Sequence, residues 1–151
     1  MKFTHAVVAL LVTTSLFGCA SSGSKQSTSV TLNASRQNAG QIGNVALSDW
    51  GKETGLSFFV SGVPTGTALP VRLYSFINKG SCEKPGPVAY AMNDKVNTER
   101  SPIRGWTFSR SAPITLSQLV AGDYSIVVRS AATDGNVDLF CGDVPHEGTM
   151  K

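Results

Sequence analysis

Residues 69–77, LPVRLYSFI, alternate between two kinds of side chain. Val71, Leu73, Ser75 and Ile77 fall on one face, and Arg72, Tyr74 and Phe76 on the other. That period of two belongs to a β-strand with one buried face. The pattern recurs along the chain. Residues 54–62, TGLSFFVSG, place Leu56, Phe58 and Val60 together and then break at VPTG, a Pro-then-Gly turn signal. VTLNAS from Val30, PVAYAM from Pro87, GWTFS from Gly105 and DYSIVVRS from Asp123 read as further strands. DGNVDLFCG adds an Asp-Gly turn and a final strand, while APITLSQLVAG holds one short helical turn closing at Gly122. Strands at roughly 8–12-residue spacing with turns between them predict an all-β domain, a single antiparallel β-sandwich over residues 30–145. Residues 146–151 are left as a C-terminal tail.

The length of 151 residues suits one such domain, and an apolar share of 41% is enough for a core. Charged residues make up only 15%, well below the usual quarter, which fits an exported β-domain better than a charge-laced helical one. The formal net charge of +3 comes from scattered lysines and arginines rather than from a stripe. No nucleic-acid surface is therefore expected.

Before the first strand the chain carries an address. Lys2 gives a positive start, and AVVALLVTTSLF follows as a short apolar run, so residues 1–18 read as a secretory signal peptide. A spanning helix needs about 20 apolar residues, and this run is shorter. It ends at Leu16-Phe17-Gly18-Cys19, which resembles the lipobox of bacterial lipoproteins. The resemblance implies cleavage between Gly18 and Cys19, a diacylglycerol on the Cys19 thiol and acylation of the new N-terminus. Phe17 departs from the pattern, which prefers a small or β-branched residue there. The alternatives are an ordinary secretory signal with an incidental cysteine, or an uncleaved signal anchor. Each buried CH₂ contributes about 0.8 kcal/mol, so two or more chains would hold the protein firmly to a membrane. Ala20 follows the cysteine, and in lipoproteins of Gram-negative bacteria a residue other than aspartate there implies the outer membrane. The Ser-rich stretch ASSGSKQSTS then makes residues 19–29 a flexible tether.

With Cys19 assigned to lipid, Cys82 and Cys141 remain. An even pair in an exported chain suggests a disulfide, the alternatives being two buried thiols or a metal pair.

The segments SGVPTGTALPVRLYSFINKGSC, PVAYAM and LSQLVAGDYSIVVRSAATDGNVDLFCGD also carry a resemblance, over about residues 54–143. Their order and spacing resemble exported bacterial domains related to Cu/Zn superoxide dismutase and to CHRD-like sandwiches. The resemblance implies an Ig-like or superoxide dismutase-like sandwich. It also implies metal histidines that this chain lacks: Arg72 and Tyr74 stand where relatives carry them on one strand, and Arg129 where they carry a later one. A guanidinium keeps its proton and cannot ligate copper or zinc. The only histidines are His5, in the signal, and His146. No cofactor is expected.

Three groups remain as candidates for chemistry. Arg72, Tyr74 and Arg129 would gather where the relatives hold metal and would form an anion or glycan pocket, unless they simply decorate a solvated sheet. Asp143, His146 and Glu147 are a weaker acid–base or metal group that would make the protein a metal-dependent enzyme. Trp50 and Trp106 are either a carbohydrate-stacking pair or core-edge aromatics. The expectation is a non-enzymatic, lipid-anchored envelope protein whose sandwich has a structural or binding role. Its partner would be the membrane through the lipid, and an envelope protein or anionic ligand through the domain.

Overall fold

A computed structural model describes residues 26–146. The signal peptide, the lipobox with Gly18 and Cys19, most of the tether and the last five residues lie outside the described residues.

Among the described residues nine strands build the domain: β1 (Ser27–Ala34), β2 (Ile42–Asp49), β3 (Thr54–Val60), β4 (Leu73–Gly80), β5 (Pro85–Ala91), β6 (Glu99–Arg100), β7 (Trp106–Ala112), β8 (Tyr124–Ser130) and β9 (Asp138–Asp143). All pair antiparallel in one sheet of order β5-β4-β8-β9-β1-β2-β3-β7-β6. The sheet is continuous, yet Val30, Leu47, Phe58, Leu73, Ile126 and Phe140 from six of its strands share one core. It must therefore curl over on itself, so that its two halves face each other as the layers of a sandwich. The predicted all-β antiparallel fold is the observed one, with the two layers being parts of one sheet.

The alternation does what the sequence predicts. In β4, Leu73, Ser75 and Ile77 are buried while Tyr74 and Phe76 are half-buried on the opposite face. Two boundaries move. β1 begins at Ser27, so residues 27–29 are strand rather than tether: Ser27, Thr28 and Ser29 pair with Ser48, Leu47 and Ala46. A paired neighbour overrides the flexible composition there. β2, IGNVALSD, has buried Gly43, Val45 and Leu47 but no strong turn signal before it, and it adds a strand to the set expected from the sequence. The expected helical turn is α1 (Leu116–Ala121). A capping box closes its start, with Thr115 Oγ1 accepting from the Gln118 amide, and Gly122 follows its end.

Two connections carry the chain across the sheet. Residues 61–72 lead from β3, on one side, to β4 on the other, and residues 113–123 with α1 lead back from β7 to β8. A third stretch closes the curl. After β5, residues 92–98 run beside the beginning of β4: the Met92 amide donates to Ser75 O (3.0 Å), and the Leu73 amide to Val96 O (3.0 Å). Arg72 bridges Asn97, and Thr98 Oγ1 donates to Val71 O at 2.8 Å. The chain then turns into β6, which pairs with β7 at only two positions, Arg100 with Trp106 and Glu99 with Thr107. Residues 92–98 thus tie one edge of the sheet to the other across a seam.

The exposed edge strand β5 begins Pro85-Gly86-Pro87 and meets β4 with two register shifts. Prolines and bulges of this kind discourage pairing with another chain.

Candidate functional site

The face expected to hold an anion is assembled only in part. Tyr74 of β4 lies directly opposite Arg129 of β8, and Arg72 precedes Tyr74 by two residues on the same face. The Arg129 charge is already answered. Its Nε donates to Asp138 Oδ1 at 2.6 Å, and its guanidinium lies 5.0 Å from the centre of the Phe76 ring. Asp138 is the cross-strand partner of Arg129 in β9, a placement that needs the strand pairing and could not be read from the sequence. An arginine paired with carboxylate and stacked on an aromatic ring is not an open fork.

On this same outer face the disulfide forms a strap. Cys82, in the loop after β4, is bonded to Cys141 of β9 with the Cα atoms 5.9 Å apart, as expected from the cysteine pair. Asp143 Oδ1 accepts from the Cys82 amide at 2.7 Å, a second tie between loop and strand. Nearby in β4 and β8, Asn78 and Ser125 are directly paired and both buried, although they are polar.

Asp143 is thus engaged with the strap. His146 lies 3.9 Å from Asp123 Oδ1 instead, both side chains being well exposed, and Glu147 falls outside the described residues. Among the described residues no three His, Cys, Asp or Glu side chains gather as a metal site would require.

The most unusual group sits at the seam. Arg110 of β7 shares the inward parity of Phe108 and Ala112 and is 8% exposed. Phe108 stacks on Phe58 with ring centres 4.5 Å apart, and the Arg110 guanidinium lies 4.7 Å from the Phe108 centroid. From there it reaches across the seam. Nη2 donates to Leu73 O at 3.2 Å and more weakly to Asn97 O at 3.5 Å, while Nη1 donates to Ser109 O at 2.8 Å. Every one of these acceptors is a neutral carbonyl. No carboxylate pairs with Arg110 among the described residues, and its Nε has no hydrogen-bond partner there. Burial pushes the guanidinium below its ordinary pKa, because a charge removed from water loses its solvation.

Two clefts meet at this arginine. β6 pairs β7 only as far as Thr107, so among the described residues the edge of β7 beyond it has no strand beside it, and residues of β7 and of the 92–98 stretch line the same clefts. The larger cleft, about 560 Å³, includes Trp50, Glu53, Met92, Asp94 and Lys95 with Arg110. The smaller, about 420 Å³, includes Asn97, Glu99, Thr107 and Phe108. Lys95, Ser109 and Arg110 belong to both.

One wall of the larger cleft is an aromatic face. Trp50 lies in the turn between β2 and β3, where its amide donates to Glu53 O (3.0 Å) and Asp49 Oδ1 accepts from the Gly51 amide (2.8 Å). Gly51 has φ +87°, which glycine adopts at little cost. The Trp50 indole rests on Gly55 of β3 so closely that a Cβ at Gly55 would overlap the ring. Even so, the residue is 56% exposed. Trp106, its expected partner, is packed against the core near Arg100. The two tryptophans are not a stacking pair.

Sequence reasoning passed over Arg110 because the expected strand GWTFS stops one residue before it. Its parity with Phe108 was the available signal. No family model matches the chain, and no curated protein or solved structure is significantly similar to it.

Proposed function

We propose that this protein is a lipid-anchored lipoprotein of the bacterial cell envelope whose β-domain acts by binding rather than by catalysis. The observation that carries the anchor is the apolar run ending at Leu16-Phe17-Gly18-Cys19. A disulfide between Cys82 and Cys141 is in keeping with an oxidising compartment. Ala20 after the cysteine favours the outer membrane. The binding role draws on the seam, where two clefts share a buried cation whose acceptors among the described residues are all carbonyls.

The test is a Cys19→Ser variant produced beside the unaltered protein in a Gram-negative host. The unaltered chain should sediment with outer membranes, and its intact mass should show loss of residues 1–18, added acyl chains and two hydrogens fewer for the disulfide. The variant should lose the acyl mass and leave the membrane fraction or stay uncleaved. A variant that matures and sediments like the original overturns the lipoprotein reading.

A further inference from the structure

We propose that the larger seam cleft binds an acidic saccharide: a sugar ring stacked on Trp50, with its carboxylate directed toward Lys95 and Arg110. The proposal deepens the binding role above and is independent of the lipid at Cys19.

Trp50 supplies the first observation. An indole that is more than half exposed forgoes much of the stabilisation that burying so large an apolar ring would give. Here β3 leaves room for that ring against the sheet, since it carries a glycine where any side chain would push the indole away. A flat apolar face left open complements the C–H face of a pyranose. Around it stand groups suited to sugar hydroxyls. Glu53 and Asp94 provide acceptors, and Ser109 and Ser111 provide hydroxyls that donate or accept. A volume of about 560 Å³ falls within the range of small-ligand sites, roughly 300–1,000 Å³.

The charge of the ligand follows from Arg110. By formal count the cleft is balanced, with Glu53 and Asp94 against Lys95 and Arg110. The four charges do not act equally. Glu53, Asp94 and Lys95 are exposed, so water and salt screen them. Arg110 is buried and, among the described residues, has only neutral acceptors and an unpartnered Nε, so its field is the least screened. Arg110 is thus the one buried charge among the lining residues, beside exposed charges of both signs. A neutral sugar would leave that charge without a counter-ion, and a bare inorganic anion would leave the tryptophan face unused. A sugar acid answers both.

The experiment follows the indole N–H resonances of Trp50 and Trp106 in the full-length protein, extracted in detergent. Short oligogalacturonates are titrated against the matching neutral galactose oligomers and against acetate. The expected result is a saturable shift of the Trp50 signal with the acidic oligomers, at least tenfold weaker binding of the neutral ones, and no shift of Trp106. Trp50→Ala should abolish the binding. Gly55→Ala, which keeps the indole but displaces it, should weaken binding tenfold or more, and Lys95→Ala severalfold. Absence of a saturable response to either oligomer series overturns the proposal. So does equal binding of neutral and acidic oligomers, acetate binding as tightly as the oligomers, or binding that survives in Trp50→Ala. Each of these outcomes leaves the Cys19→Ser fractionation result untouched, so the two readings fail separately.

Discussion

The curled sheet is held together differently at two places. Over β4, β8 and β9 the covering loop is tied by a covalent bond between Cys82 and Cys141 and by the Asp143 carboxylate on the Cys82 amide. At the seam between β7 and residues 92–98, the closure beside Arg110 consists of hydrogen bonds from one guanidinium to Leu73 O and Asn97 O. Beside the first device the charged residue Arg129 already has Asp138. The second leaves clefts on both sides and a cation that no carboxylate pairs with among the described residues. A closure that needs only a staple can be finished within the chain, whereas one made with an unanswered charge invites something from outside.

The largest effect should come from removing the staple. The cysteines lie 59 residues apart in sequence, and in the chain-entropy model a loop of that length is worth about 4 kcal/mol. The Cys82→Ala, Cys141→Ala double variant should lose about 3–4 kcal/mol in urea denaturation. A loss below about 1 kcal/mol would mean that Asp143 and the packing beneath the loop hold the face unaided, and the contrast with the seam would disappear.

Next in size is the seam itself, probed by two substitutions at one position. Arg110→Ala removes the donor to Leu73 O and empties the space over Phe108, and should cost about 2–3 kcal/mol. Arg110→Met keeps an apolar stem on Phe108 while deleting a buried charge whose desolvation is poorly offset, so it should stay within about 1 kcal/mol of the original protein. If both variants lose the same amount, the hydrogen bonds outweigh the desolvation and the cation is structural. If the methionine variant is tolerated, the charge is kept for a reason other than stability, as a binding role requires.

These two regions also differ in how far the sequence discloses them. Cys82 and Cys141 are the only cysteines left once Cys19 is set aside, so their pairing follows from counting. The alternation of β4 and β8 is local, and each strand can be recognised from a few adjacent residues. The seam depends on relations that adjacent residues do not carry. That β6 stops pairing at Thr107, that residues 92–98 run beside β4, and that Arg110 reaches Leu73 O are outcomes of topology. The parity of Trp106, Phe108, Arg110 and Ala112 is the one hint, and it marks Arg110 as inward without saying what it meets. The same limit explains the expectation of an open Arg129: its neutralising Asp138 lies nine residues away, across a turn and beside a register shift. Trp50 is visible in the sequence as an aromatic residue, but only the contact with Gly55 separates a ring seated on the sheet from an incidental surface ring.

The smallest effect should be found at Arg129, and it tests the claim that the charge of this residue is already answered by Asp138. The Arg129 and Asp138 side chains are 30% and 53% exposed, so solvent screens their attraction despite the short contact. A double-mutant cycle of Arg129→Ala with Asp138→Ala should give a coupling of about 0.2–1 kcal/mol that falls as salt is added. Asp138→Ala alone should also change what the face can do. With its carboxylate partner gone, Arg129 still rests on Phe76 but has a free fork, so the variant should gain weak, salt-sensitive affinity for acidic oligosaccharides that the original face lacks. Its signature is a shift at Arg129 Nε with the Trp50 indole unmoved. Should the unaltered protein show that Arg129 shift, the pair opens for ligand in solution, and the outer face of β4 and β8 joins the seam as a binding surface.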